Sequence, residues 1–227
     1  MLAQTGPGPW EFISENGGFL FEGFLFTLGL TAASIVLGFA AGLPAGIVET
    51  YGDGPGRRLV ERVGVLLRGT PIVILLALFF FVTPLNISAF VAATLGLGLR
   101  SAAYQSQIFR GTLQSVSEGQ MEAARAVGLT KREAIRRVTV PQALRRAIPG
   151  FQNEFTIVLK DTSVAYAIGL GELLTNGTQL YLTAEGNTAV LEIFLVISAV
   201  YFVLTMTANL TLDLVGRVFA IPGGGSR

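Results

Sequence analysis

Apolar runs of about 20 residues recur along this chain, and a run of that length is what a helix needs to cross the ~30 Å hydrocarbon core of a bilayer. They fall at roughly Phe19 to Val48, Val63 to Val82, Ile87 to Leu113, Ala143 to Ala167 and Val190 to Val215. The fourth is the least clean, because Glu154, Lys160 and Asp161 interrupt it. Only 14% of the 227 residues are charged, and mean hydropathy is +0.61. A soluble domain carries about 25% charged residues. The fold class that follows is an all-α integral membrane protein with five transmembrane helices.

Composition removes several chemistries. Cysteine and histidine are absent, which excludes disulfides, thiolate nucleophiles, imidazole bases and the usual zinc ligand sets. A net charge of +1 gives no reason to expect nucleic acid. The only lysines, Lys131 and Lys160, do not follow a glycine, so the chain has no phosphate-cradling P-loop for ATP. Met1 to Phe19 contains Glu11 and Glu15 and no Lys or Arg, unlike a cleaved signal. Pro7 and Pro9 should keep the start irregular, with Trp10 and Phe12 as an interfacial lead-in.

Lys and Arg in short loops mark the cytoplasmic side. Arg57, Arg58, Arg62 and Arg68 follow the first run; Arg125, Lys131, Arg132, Arg136, Arg137, Arg145 and Arg146 follow the third. The segment before the first run, the turn around Pro84 and Asn86, and the stretch from Gly169 to Asn187 have none. The N-terminus is therefore expected outside and the C-terminus inside. The expected divisions are an external segment 1–18, a membrane domain 19–218 and a cytoplasmic tail 219–227. Gly38, Gly42 and Gly46 form a small-residue groove on the first span, which serves either packing within one subunit or a dimer seam.

Ser117 and Gln120 read as a capping box that opens an Ala-rich helix ending at Gly128; Thr130 and Glu133 open a second short helix running toward Pro141. Such a compact, Ala-faced pair suits docking in a partner's groove. Glu122-Ala123-Ala124, then Gly128, Ile135 and Val140-Pro141, resembles the EAA loop of ABC importer permeases. Arg68-Gly69-Thr70-Pro71, Ala103-Tyr104 with Ile108-Phe109-Arg110-Gly111, Pro141-Gln142-Ala143-Leu144-Arg145 and Leu159-Lys160-Asp161-Thr162-Ser163 resemble the polar amino acid permease family, which includes histidine, glutamine, glutamate and arginine importers.

The resemblance implies an ABC type I importer permease fold in which 117–141 is the coupling loop. Glu118, Glu122, Ala123, Ala124, Gly128 and Leu129 would engage the ATPase: Glu122 by contact or capping, the alanines in its groove, Gly128 by permitting the turn. It also implies two copies of a separate ATPase that binds ATP and Mg, and a second permease, identical or paralogous. An extracytoplasmic amino acid binding protein, membrane lipid and a small amino acid complete the partners, with no cofactor held by this chain.

Charges at bilayer depth are functional candidates by default. Arg100, Tyr104 and Gln107 share one face of the third span, and Glu154 and Asp161, seven residues apart, share one face of the fourth. A zwitterionic amino acid needs a donor for its carboxylate and acceptors for its ammonium. Arg100 can supply the first bidentately, and Glu154 or Asp161 the second, with Tyr104, Gln107 and Ser163 alongside. The bland alternative is a buried Arg100 to Glu154 ion pair. Lys160 is expected to snorkel to the outer interface. Gln107 stands where many family members have glutamate, and together with Arg100 it argues against a purely cationic substrate and toward glutamine or glutamate.

Two other classes compete. An intramembrane enzyme using Glu154 and Asp161 as general acid and base needs its carboxylates about 5 to 10 Å apart, and a spacing of roughly 10.5 Å along one helix is marginal. An ion-coupled secondary amino acid carrier would use lone carboxylates, but internal repeats, which would favour it, are not evident.

Overall fold

The computed structural model describes residues 8–82, 87–183 and 185–218, and every regular element among them is helical. Pro7, the turn at Pro84 and Asn86, and the 219–227 tail lie outside the described residues. The start is more ordered than its prolines suggest. Pro9 opens α1 (Pro9–Glu15) at the first helical turn, where a missing N–H is no loss. Trp10 is exposed, but Phe12 is buried with Ile13 in a core shared with Leu173, Leu180 and Ile193.

Helix α2 (Gly17–Tyr51) realises the first run and extends it at both ends; it and α5 (Ala89–Gln114) form the most extensive helix contact in the molecule. The glycine groove explains how. A Cβ on Gly42 would lie 2.8 Å from the carbonyl oxygen of Ala102, and one on Gly46 would lie 2.8 Å from Cβ of Phe109. Only glycine lets the two backbones approach this closely, so the groove is used inside the subunit and is not a dimer seam. Phe109 meets Phe39 and Phe151 edge-on at 5.5 and 5.1 Å, closing the core between α2, α5 and α8 (Val140–Asp161).

The second run is not one helix from Val63 to Val82. It is α3 (Gly54–Gly69) followed by α4 (Ile72–Ala77), which widens into a π turn (Leu78–Val82), and the two pieces are bent by 106°. Pro71 causes the break: it forces Thr70 into an extended conformation (φ −89°, ψ 129°) that no helix accommodates. Arg68 fills the gap, its Nη1 donating to the Ala103 carbonyl at 2.7 Å. Further on, Leu76 fills the space over Gly96, so the chain moves progressively along α5 instead of doubling back.

The coupling segment also departs from expectation. Helix α6 (Glu118–Ala126) forms, but its N-cap Ser117 makes no side-chain cap bond. Thr130 and Glu133 do form a reciprocal capping box at α7 (Lys131–Ala134). That second helix is not short. It passes through a π turn (Ile135–Thr139) directly into α8. Pro141 lacks an N–H and crowds the carbonyl four residues back, and the wider π turn immediately before it lets the helix continue.

Residues 169–187, expected as an external loop, contain α9 (Leu173–Tyr181). Glu172, fully buried, caps it by accepting from the Leu174 N–H at 2.9 Å, the Thr175 N–H at 2.7 Å and the Tyr201 hydroxyl at 3.1 Å. Asn176 ties α9 to α2 by donating to the Phe19 carbonyl at 2.8 Å. The last helix, α10 (Val190–Val218), matches the fifth run. Helices α2 and α10 are each long and apolar enough to cross a membrane, and α3 with α4 qualify as a bent pair. Helices α5 and α8 have the length but carry the polar residues that build the site.

Candidate functional site

Helices α5 and α8 run antiparallel, so Arg100 meets Asp161, Ser101 meets Glu154, and Ser115 meets Arg146. At the upper rung, Arg100 Nη1 is 2.5 Å from Asp161 Oδ2, with the two side chains 21% and 25% exposed. The guanidinium lies over the Tyr104 ring, 5.2 Å from its centroid, one turn along α5, as helical spacing requires. Its Nε N–H has no acceptor among the described residues.

One rung lower, Glu154 is buried and accepts from Ser101 Oγ at 2.7 Å. Ser101 Oγ in turn accepts from Gln105 Nε2 at 3.0 Å. Among the described residues no Lys or Arg stands within ion-pair distance of Glu154. The alternative of an Arg100 to Glu154 pair is thereby corrected: Arg100 has Asp161 as its partner, because Asp161 sits at its level on α8 and Glu154 lies about two turns below.

Gln107 belongs elsewhere. Its Nε2 donates to Glu49 Oε2 at 2.6 Å, on the side of α5 that faces α2. Glu49 is almost wholly buried and also accepts from Ser106 Oγ at 3.2 Å, with Arg110 Nη1 3.8 Å away. A side chain so committed does not join Arg100 and Tyr104, and the inference drawn from its amide about substrate charge loses its footing. Ser163 Oγ donates to the Lys160 carbonyl at 2.7 Å in its own turn. Lys160 is exposed, as snorkelling requires.

Sequence reasoning missed Glu49. It lies just past the apolar run that defined the first span, and its partners are 57 and 58 residues away. The one available signal was a carboxylate on the same helix face as Gly38, Gly42 and Gly46.

In the coupling segment, α6 ends in a Schellman motif: the Gly128 N–H donates to the Arg125 carbonyl at 3.0 Å and the Leu129 N–H to the Ala124 carbonyl at 3.2 Å. Gly128 has φ +91°, which a residue with a Cβ rarely adopts. Glu118, Glu122 and Ala123 point outward, and Val127 is 79% exposed. Ala124 is buried against its own chain and Leu129 is half-buried. Thr130 holds Glu133 through its N–H at 3.0 Å and its hydroxyl at 2.9 Å, and these bonds pull the Glu133 carboxyl below its ordinary range.

A family model described as "Binding-protein-dependent transport system inner membrane component" matches residues 21–220. The chain is 34% identical over 219 residues to the probable amino-acid permease protein YxeN of Bacillus subtilis (strain 168), covering 94% of this chain and 96% of that one. It is 33% identical over 208 residues to the glutamine transport system permease protein GlnP of Escherichia coli (strain K12), covering 89% and 94%. A solved structure titled "Crystal structure of an amino acid ABC transporter with histidines" superposes with a TM-score of 0.80 at 30% identity, over 90% of this chain and 96% of that one. Nothing in these likenesses supports an ion-coupled carrier. The chain belongs to the family of binding-protein-dependent transport system inner membrane components, the inner-membrane permease subunits of ABC importers, in which ATP hydrolysis resides in a separate subunit, so the chain is not itself an enzyme.

Proposed function

We propose that this permease carries a polar amino acid of the glutamine class, and that Arg100 and Asp161, with Tyr104 and Glu154 beside them, hold the substrate's α-carboxylate and α-ammonium. The observation that carries this reading is the partly exposed Arg100 to Asp161 pair with a spare Nε donor. Empty, the pair neutralises itself. A zwitterion gives each partner a new counter-charge, so the site stays neutral throughout, and Arg100 can grip a carboxylate with two N–H groups. Carriage of glutamine by the similar Escherichia coli permease supports the substrate class.

Five crossings with the N-terminus outside remain our reading of the topology, supported by the loop charges. The outward Glu118, Glu122 and Ala123 of α6, with the Gly128 and Leu129 turn, would dock against the ATPase. Ala124 would serve from inside by letting α6 pack close to its own chain. Two ATPase copies holding ATP and Mg, a second permease and an extracytoplasmic binding protein complete the proposed assembly, which works by alternating access.

The test is uptake of labelled glutamine, glutamate, arginine and lysine into vesicles holding the full transporter. We expect glutamine or glutamate to be taken up. Arg100→Gln should raise KM at least about tenfold, from loss of a charge-assisted bond, while the subunit still copurifies with its ATPase. Exclusive transport of arginine and lysine, or an unchanged KM in the variant, would refute the reading.

A further inference from the structure

Away from the polar ladder, α2, α8 and α10 enclose an open groove of about 500 Å³. Its walls include Phe39, Leu144, Ile148, Phe151 and Leu212, and a single charged residue, Arg145, sits in its lining. A second cavity of about 290 Å³ continues it, sharing Phe155 and Leu212 and reaching Leu159 and Leu204. From Pro141 to Phe155 the groove follows fourteen residues of α8, roughly 21 Å of helix, and the ten residues beyond Arg145, about 15 Å, match the depth of one leaflet of the ~30 Å hydrocarbon core.

The cation in its lining has no partner among the described residues. Arg145 is exposed and makes no hydrogen bond or ion pair with any described residue, whereas its neighbour Arg146 is committed to the Ser115 carbonyl and hydroxyl. The nearby carboxylate on α10, Asp213, is held by Gln152 Nε2 at 2.6 Å. The surrounding segment, 117–146, carries seven cations, named above, against Glu118, Glu122 and Glu133. An apolar slot running the depth of one leaflet from an uncompensated guanidinium on the positive side of the membrane has the chemistry of a phospholipid with an anionic headgroup.

We infer that this groove is a binding site for one anionic phospholipid, with an acyl chain along Phe39, Ile148 and Phe151 and the headgroup phosphate on Arg145. A second copy of the chain fits less well. If the two-fold axis passed through the groove, a second unpaired Arg145 would enter the same apolar space and the like charges would repel; if another apolar helix of the second copy filled it, Arg145 would still lack a counter-charge, which an anionic headgroup supplies. The inference does not depend on which amino acid is carried.

The absence of cysteine makes a direct test available. Ile148→Cys, labelled with bimane in the assembled transporter, is placed in bilayers containing brominated phosphatidylglycerol or brominated phosphatidylcholine at equal mole fraction. Brominated phosphatidylglycerol should bind about fivefold more tightly by quenching, the effect of one cation at an anionic surface. Arg145→Gln should abolish the difference and Arg145→Lys should retain it. High salt should erase it without any substitution at Arg145, which keeps the test decisive if Arg145→Gln does not assemble. Equal quenching by the two lipids in the protein with Arg145 intact, or a difference that survives in Arg145→Gln, overturns the inference. So does protection from both lipids together with efficient cross-linking of two permease copies through the thiol of Ile148→Cys, which would mean that the groove is an interface.

Discussion

The tight approach of α2 to α5 can be tested by adding a single methyl group. A Cβ on Gly42 would sit 2.8 Å from the Ala102 carbonyl oxygen and 2.9 Å from Gln105 Cβ. Ordinary contact begins at 3.4 Å, so the shortfall is about 0.6 Å. Neither neighbour is the end of a flexible side chain; both are fixed by the helix itself. Gly42→Ala must therefore push two backbones apart along their whole shared face. Overpacking of this kind costs about 1 to 3 kcal/mol, which for a chain of this size lowers the melting temperature by roughly 2 to 12 °C. The control is Gly111→Ala, on the same α5, where a Cβ meets nothing within 4 Å. There the helix-forming advantage of alanine should leave stability unchanged or raise it by about 0.5 to 1 kcal/mol. The assay is thermal unfolding of the detergent-solubilised transporter, followed by size-exclusion recovery. Equal melting of Gly42→Ala and the unsubstituted protein would show that the glycine groove is not the closest contact, and a dimer seam there would be open again.

Other outcomes can be checked separately. Gly128→Asp places a Cβ at φ +91°, a strain of about 1 to 2 kcal/mol; ATP hydrolysis should persist while vesicle uptake is lost, and full uptake would disprove the coupling role. Glu172→Ala strips two backbone N–H groups and the Tyr201 hydroxyl of their acceptor, so α9 should lose at least about 2 kcal/mol of amide-exchange protection. For Glu133, a lowered pKa means that its cap stabilises fully above the ordinary carboxyl value of 4.5 and fails as pH falls through the lowered value. NMR shifts of Thr130 and Glu133 should stay constant down to that ordinary value and change only below it.

Candidate spans were legible wherever one continuous helix is apolar over a membrane-crossing length, as α2 and α10 are. A hydropathy window averaged over the break in α3 and α4, although Arg68-Gly69-Thr70-Pro71 marked it, because the apolar residues on either side outweigh those four. The upper rung of the ladder was half legible: helical spacing put Arg100 with Tyr104 and Glu154 with Asp161, but which carboxylate faces Arg100 depends on how α8 slides against α5. Gln107 lies with Glu49 and not with Arg100 for a related reason. Seven residues falls only about 20° short of two turns, so spacing within α5 could not separate it from Arg100; what draws the amide away is Glu49, on another helix. Helix α9 was missed because Thr175, Asn176 and Thr178 look like loop residues until the remote partners that bury them are known.

The unbroken passage from α7 through the π turn into α8 has a mechanical meaning. From Lys131 to Asp161 the chain is a rod of roughly 45 Å, with two rungs missing where Pro141 and Pro149 cannot donate. Pivoted at its midpoint, such a rod moves its far end by about 2 Å for a tilt of about 5°, more than enough to part Arg100 from Asp161. In the proposed assembly, force applied at the 117–141 segment would need no relay of separate side chains to reach the upper rung; the crank and the clasp would be cut from one piece.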